Sequence, residues 1–157
     1  MTVKSLKIGI VMDPIDSITP YKDSSLAMLL EAARRNAEIH YFEQKDVRLL
    51  SGKALGQSTL LEVRDDNEDW YTFGDRQDIE LGDLDAILMR KDPPFDMEYV
   101  YTTYILDRAQ EDGALIVNAP QALRDMNEKA YTAWFPQCTP TTLITRSMDE
   151  MKAFLAE

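Results

Sequence analysis

Three short polar clusters carry the groups best suited to chemistry: Asp13-Pro14, Arg90-Lys91-Asp92 and Asn118. Each closes or follows a largely apolar run, residues 6–12, 84–89 and 114–118. In an α/β sheet such runs are strands, and ligands gather just outside the carboxyl ends of those strands. A crevice lined by Asp13, Arg90 and Asn118 offers both signs of charge, which suits a zwitterion. The planar fork of arginine grips a carboxylate through two parallel hydrogen bonds, and an aspartate receives an ammonium group. Ser24 and Ser25 open a helical stretch, whose free backbone N–H groups favour a further carboxylate. The competing reading is structural: Asp13 caps a turn, and Arg90 pairs with Asp13 or Asp92 to hold loops together.

Other chemistries fit less well. The first strand-to-helix turn contains Asp13-Pro14 instead of G-x-G-x-x-G, and a carboxylate there repels a pyrophosphate; no Walker A string occurs. A receiver-like phosphoacceptor needs a cluster of acids around Mg²⁺, and Arg90-Lys91 beside Asp92 weakens that reading. The single histidine, His40, falls on a strand and reads as a packed or surface side chain. Cys138, the single cysteine, has no visible activating base and reads as an inert thiol. Tyr99, Tyr101 and Tyr104 lie at near-helical spacing and read as core. Lys129, within Asn127-Glu128-Lys129, reads by itself as a solvated surface lysine.

These clusters need a scaffold, and the apolar pattern supplies one. Residues 6–12 and 84–89 form unbroken apolar runs apart from Gly9, Lys7 and Asp85, the sign of strands buried on both faces; 114–118 reads as a further buried strand. Residues 24–36 place Leu26, Leu29, Leu30 and Ala33 on one helical face, with Asp23 or Ser24 as cap and Asn36 as a left-handed terminator. Residues 38–42 form a second strand with Ile39 and Tyr41 on one side.

Residues 47–55 turn at Ser51-Gly52 as a small hairpin, and 59–63 and 70–73 add short strands around a solvated acidic turn at 65–69. We read this stretch as an inserted antiparallel flap or an oligomer contact. A helix follows over 97–112 with Met97, Tyr101, Tyr104 and Ile105 on one side, and Gly113 ends it. A short helix starts near Pro120, another covers 127–135, and 141–145 is extended. Ser147 and Glu150 form a capping box for a last helix bearing Met151, Phe154 and Leu155. The expected fold is α/β, a mostly parallel Rossmann-like sheet with an inserted antiparallel flap.

The chain has 157 residues, with 17 Lys and Arg against 28 Asp and Glu, a formal net charge of −11. That excess argues against a phosphate backbone or an anionic lipid surface as partner, so no nucleic acid and no membrane are expected. One cysteine excludes an intramolecular disulfide, and one histidine leaves too few soft ligands for a structural zinc site. No window reaches the eighteen or so apolar residues of a membrane span, and the apolar stretch after Lys4 and Lys7 is too short for a signal peptide. A cytoplasmic domain is expected.

The strings Gly9-Ile10-Val11-Met12-Asp13-Pro14, Asp23-Ser24-Ser25 and Met89-Arg90-Lys91-Asp92-Pro93-Pro94-Phe95-Asp96 closely resemble the bacterial type of glutathione synthetase. So do Tyr104-Ile105-Leu106, Ile116-Val117-Asn118, Leu123-Arg124-Asp125, Asn127-Glu128-Lys129 and Thr132-Ala133-Trp134-Phe135, in order along the chain. The resemblance implies an ATP-grasp ligase that joins γ-glutamylcysteine to glycine with ATP, through an acyl phosphate of the cysteinyl carboxylate and with Mg²⁺. It implies residues 1–126 as a pre-ATP-grasp, substrate-binding domain and 127–157 as the start of the ATP-grasp region, in a homo-oligomer. Asp13, Ser25, Arg90 and Asn118 would face the peptide, and Lys129 would reach the ATP phosphates as a point charge. The resemblance assigns this chain no catalytic residue and no metal ligand.

Relatives of this type continue into a glycine-rich phosphate loop and Mg²⁺ ligands, which this sequence lacks. We therefore expect a piece of a longer enzyme, nearly inactive by itself. A second function class is a non-catalytic small-ligand-binding or oligomerisation module of the same fold.

Overall fold

The computed structural model describes residues 5–156; residues 1–4, with Lys4, and Glu157 lie outside the described residues. The chain divides into two compact units, one ending at Gln121 and one beginning at Ala122.

The first unit is built on a seven-stranded sheet in the order β3-β4-β2-β1-β6-β7, with β5 paired to β4. Its strands are β1 (Lys7–Val11), β2 (Glu38–Phe42), β3 (Val47–Leu50), β4 (Lys53–Val63), β5 (Tyr71–Glu80), β6 (Ala86–Met89) and β7 (Leu115–Val117). β2, β1, β6 and β7 run parallel, and β3, β4 and β5 complete the sheet antiparallel, which makes the expected flap an extension of the main sheet.

Helix α1 (Ser24–Arg34) begins where expected, because the Asp23 carboxylate accepts the Leu26 N–H at 2.7 Å. Leu26 and Leu29 are buried, each worth roughly 2 kcal/mol of apolar transfer. Asn36 takes the left-handed conformation, φ 56°, immediately after the helix. Leu29 packs with Ile10, Met12, Ile15, Ile39, Tyr41 and Leu61 in the core on the α1 side.

Helix α2 (Met97–Glu111) corrects one expectation. Tyr101 and Tyr104 are exposed, 61% and 47%, and the buried face is Thr102, Thr103, Leu106 and Ala109. The two threonines are cheap to bury because each hydroxyl donates to its own preceding turn, Thr102 Oγ1 to Glu98 O at 2.9 Å and Thr103 Oγ1 to Val100 O at 2.6 Å.

β7 is likewise less buried than its composition suggests. It closes the sheet order at one end, so Ile116 is covered while Leu115 and Val117 stay exposed. The short strands expected at 59–63 and 70–73 are parts of the long β4–β5 hairpin, which carries an irregularity between Thr59 and Leu61. Its turn is the expected acidic one, with Asp66 Oδ1 accepting the N–H groups of Glu68 and Asp69.

His40 is 1% exposed, between the Ser58 hydroxyl at 2.7 Å from Nδ1 and a Glu38 carboxylate oxygen at 2.8 Å from Nε2. The trio has the residue types of a hydrolase triad, yet Ser58 is fully buried and no substrate can reach its oxygen. Its role is to satisfy a buried imidazole where β2 meets β4. Ser58→Ala strands one ring nitrogen, and we expect a loss of about 1–3 kcal/mol, read as a lower urea midpoint at unchanged slope.

The second unit contains most of α3 (Pro120–Asp125) and α4 (Met148–Leu155), the latter capped by Ser147, whose hydroxyl accepts the Glu150 N–H; the reciprocal half of the expected capping box does not form, because the Ser147 N–H donates to Thr145 Oγ1. Residues 127–135 are not the regular helix expected: Asn127 Oδ1 accepts the N–H groups of Lys129 and Ala130, and only a 3₁₀ stretch, Ala130–Trp134, follows. Such Asx bonding competes with α-helical pairing. Residues 141–145 form no strand, and no residue from 122 to 156 is buried.

Candidate functional site

The site grows from the carboxyl ends of β1 and β6. Arg90 N–H donates to Val11 O at 2.8 Å, extending the β1–β6 ladder one residue past β6 and fixing where the Arg90 side chain leaves the sheet. That side chain crosses to the start of α1. Its Nε donates to the Ser25 hydroxyl at 3.1 Å and one terminal nitrogen donates to the Ser24 hydroxyl at 2.7 Å. Both partners are neutral. Among the described residues no carboxylate pairs with Arg90, in a chain with eleven more acids than bases. Its charge is also felt by Tyr99, where burial pushes the phenol pKa up and Arg90 pulls the other way.

Asp13 follows β1 and is fully engaged. Lys91 Nζ lies 2.8 Å from Asp13 Oδ1, and the Asp92 N–H donates to Asp13 Oδ2 at 2.9 Å. Lys91 Nζ also donates to Asp92 O at 2.6 Å. Of the two pairings open to the structural reading, neither Arg90–Asp13 nor Arg90–Asp92 forms; the clamp on the loop is made by Lys91. This leaves the guanidinium without a carboxylate partner, its Nε and one terminal nitrogen held by serine hydroxyls and the other terminal nitrogen open to a ligand.

A cavity of about 550 Å³ opens at this point, its polar lining including Asp13, Lys22, Ser24, Ser25, Arg90 and Asp92. Lys22 has no ion pair among the described residues, so two unneutralised cations line one cavity. Beyond Asp13 lies a second cavity of about 510 Å³, where Lys45 and Glu43 neutralise each other at 2.7 Å. The first cavity carries both signs of charge, Asp13, Asp23 and Asp92 beside Arg90 and Lys22.

Of the residues expected at the site, Asp13, Ser25 and Arg90 line the same cavity. Asn118 follows β7, is exposed and is not among the lining residues of either cavity. Lys129 belongs to the second unit, where it is exposed and pairs with Glu128. Sequence reasoning missed Lys22. The available signal was a basic residue immediately before the cap of the first helix, on the ligand side of the sheet.

Residues 6–124 match the family model described as "Prokaryotic glutathione synthetase, N-terminal domain". The chain belongs to this family. Among curated relatives, the glutathione synthetase of Vibrio parahaemolyticus is 60% identical over 152 residues, covering 97% of this chain and 48% of that protein. Those of Salmonella typhimurium and Escherichia coli K12 are 58% and 57% identical over 149 residues, in each case 95% of this chain and 47% of the relative. The chain spans about half the length of the curated relatives it matches. As a glutathione synthetase N-terminal domain it carries the mixed sheet described above, and no described helix is long and apolar enough to cross a membrane.

The family's ligase chemistry calls for a nucleotide and Mg²⁺, and the described residues by themselves form neither a metal cluster nor, in residues 122–156, a glycine-rich phosphate loop. No three His, Cys, Asp or Glu side chains among them converge to hold a metal ion. Residues 122–156 contain no glycine from which a phosphate-cradling loop could be made.

Proposed function

We propose that this domain holds the peptide substrate of a glutathione synthetase, which joins γ-glutamylcysteine to glycine with ATP and Mg²⁺ through an acyl phosphate. One observation carries the reading: Arg90 faces a cavity with hydroxyls, not carboxylates, as its partners. γ-Glutamylcysteine has two carboxylates and one ammonium. Arg90 grips one carboxylate with its fork, the Ser24 and Ser25 hydroxyls set the plane of that fork, and Lys22 neutralises the other carboxylate as a point charge. Holding both ends orients the cysteinyl carboxylate, and orientation is the largest contribution a binding domain makes to a two-substrate reaction. Asp13 and Lys91 keep the Arg90 loop in place.

Residues 1–126 then serve as the pre-ATP-grasp domain and 127–157 as the start of the ATP-grasp region. Asn118 as a second contact to the peptide and Lys129 as a contact to ATP phosphates belong to the same proposal. So do a homo-oligomeric enzyme, a cytoplasmic location and the supply of the main ATP and Mg²⁺ groups by the other half of the relatives' length. Calorimetric titration of the 157-residue chain with γ-glutamylcysteine tests the reading. Saturable one-to-one binding is expected, and the peptide diester should fail to bind. Equal binding of peptide and diester, or binding of neither, would refute it.

A further inference from the structure

We infer that Asp92, and not Asp13, supplies the carboxylate that receives the ammonium group of the peptide in the Arg90 cavity. The inference rests on the peptide reading above and deepens it. Three acids line this cavity: Asp13, Asp23 and Asp92. Asp23 is committed to capping α1 through the Leu26 N–H. Asp13 has both oxygens in use, Oδ1 with Lys91 Nζ at 2.8 Å and Oδ2 with the Asp92 N–H at 2.9 Å. A substrate ammonium bound there would share a carboxylate whose charge Lys91, held beside it, already neutralises.

Asp92 is arranged differently. Its main chain is held at both polar groups, the N–H by Asp13 and the C=O by Lys91 at 2.6 Å. Its side-chain carboxylate has no hydrogen bond or ion pair among the described residues. The clamp on Asp13 thus holds a free carboxylate in the wall of the cavity that Arg90 and Lys22 also line. Arg90 and Lys22, which have no acidic partner among the described residues, and the Asp92 carboxylate, which has no partner among them, complement two carboxylates and one ammonium, while Asp23 keeps one oxygen on the Leu26 N–H. Because the main chain is already fixed, little conformational freedom is lost when the ammonium arrives.

The test compares γ-glutamylcysteine with glutarylcysteine, which lacks only the amino group, by calorimetry on the 157-residue chain. Asp92→Asn is expected to weaken γ-glutamylcysteine about tenfold, the effect of losing one charge-assisted contact at an open site. It should leave glutarylcysteine within about twofold. Asp92 is exposed and its main-chain bonds survive the change, so the variant should fold. Asp13→Asn is expected to weaken both peptides alike, because it loosens the loop that carries Arg90.

An equal loss of both peptides in Asp92→Asn, no loss of either, or an ammonium-selective loss confined to Asp13→Asn would overturn the assignment. Failure of the underlying reading has a separate signature. The wild-type chain then binds neither peptide, or Arg90→Ala binds both as well as wild type, and the Asp92 assignment falls with it.

Discussion

Arg90→Ala is expected to weaken γ-glutamylcysteine binding by at least about 30-fold, close to 2 kcal/mol. Hydrogen bonds to charged groups contribute roughly 1.5–3 kcal/mol, and a fork delivers two; the open cavity and its water reduce that sum. The change should cost little stability, because the hydroxyl of exposed Ser24 can turn to water and Ser25 needs only one new partner. Arg90→Lys keeps the charge but loses the fork, and should retain an affinity between wild type and alanine. Titration calorimetry of the three proteins, with thermal melts as control, reads the outcome. An Arg90→Ala protein within threefold of wild type would mean that the cavity's carboxylate is bound elsewhere.

The second large effect concerns the sheet that carries the site. A Cβ added at Gly56 would lie 2.6 Å from Phe42 Cε1 and 2.8 Å from Leu81 Cδ2. Both neighbours are completely buried, so neither can swing into solvent. Gly56→Ala should therefore destabilise the fold by about 3 kcal/mol, the upper end of ordinary overpacking, despite alanine's smaller backbone entropy cost. Phe42→Ala, which empties the same space from the other side, should lose about 3–5 kcal/mol. Combining Gly56→Ala with Phe42→Leu should cost less than the sum of the two single changes, since the smaller side chain makes room. Denaturant unfolding of the set decides this. Strict additivity would show that the backbone, not the ring, absorbs the added methyl. Against a total stability of about 5–15 kcal/mol, either large loss leaves a domain near its threshold.

Much of this architecture was legible because its signals are local. The Asp23 cap, the Leu26–Leu29 face and the left-handed Asn36 each depend on a few neighbouring residues, and all three stand as expected. The apolar runs placed β1 and β6 and thereby put Arg90 at a strand's carboxyl end. Legibility failed where burial did not follow polarity. β5 from Gly74 onward reads Gly-Asp-Arg-Gln-Asp and is solvent-exposed, so no apolar alternation marked it as strand. The inner face of α2 is half threonine, whose hydroxyls are satisfied inside the helix, while Tyr101 and Tyr104 are exposed.

At the site the residue types were readable and the pairing was not. Nothing in Arg90-Lys91-Asp92 says which base meets Asp13. That outcome is fixed by the Arg90 N–H bond to Val11 O and by the reach of each side chain, both long-range facts.

The absence of any buried side chain between residues 122 and 156 has a colloidal consequence. Met126, Trp134, Phe135, Leu143, Ile144, Met148 and Leu155 all meet water there, and hydrocarbon so displayed attracts its like. Opposing that attraction is the net negative charge of the chain, whose reach shrinks from about 30 Å to about 10 Å between 0.01 M and 0.1 M salt. Ionic strength, which hardly touches the packing of the sheet, governs whether a concentrated sample stays clear.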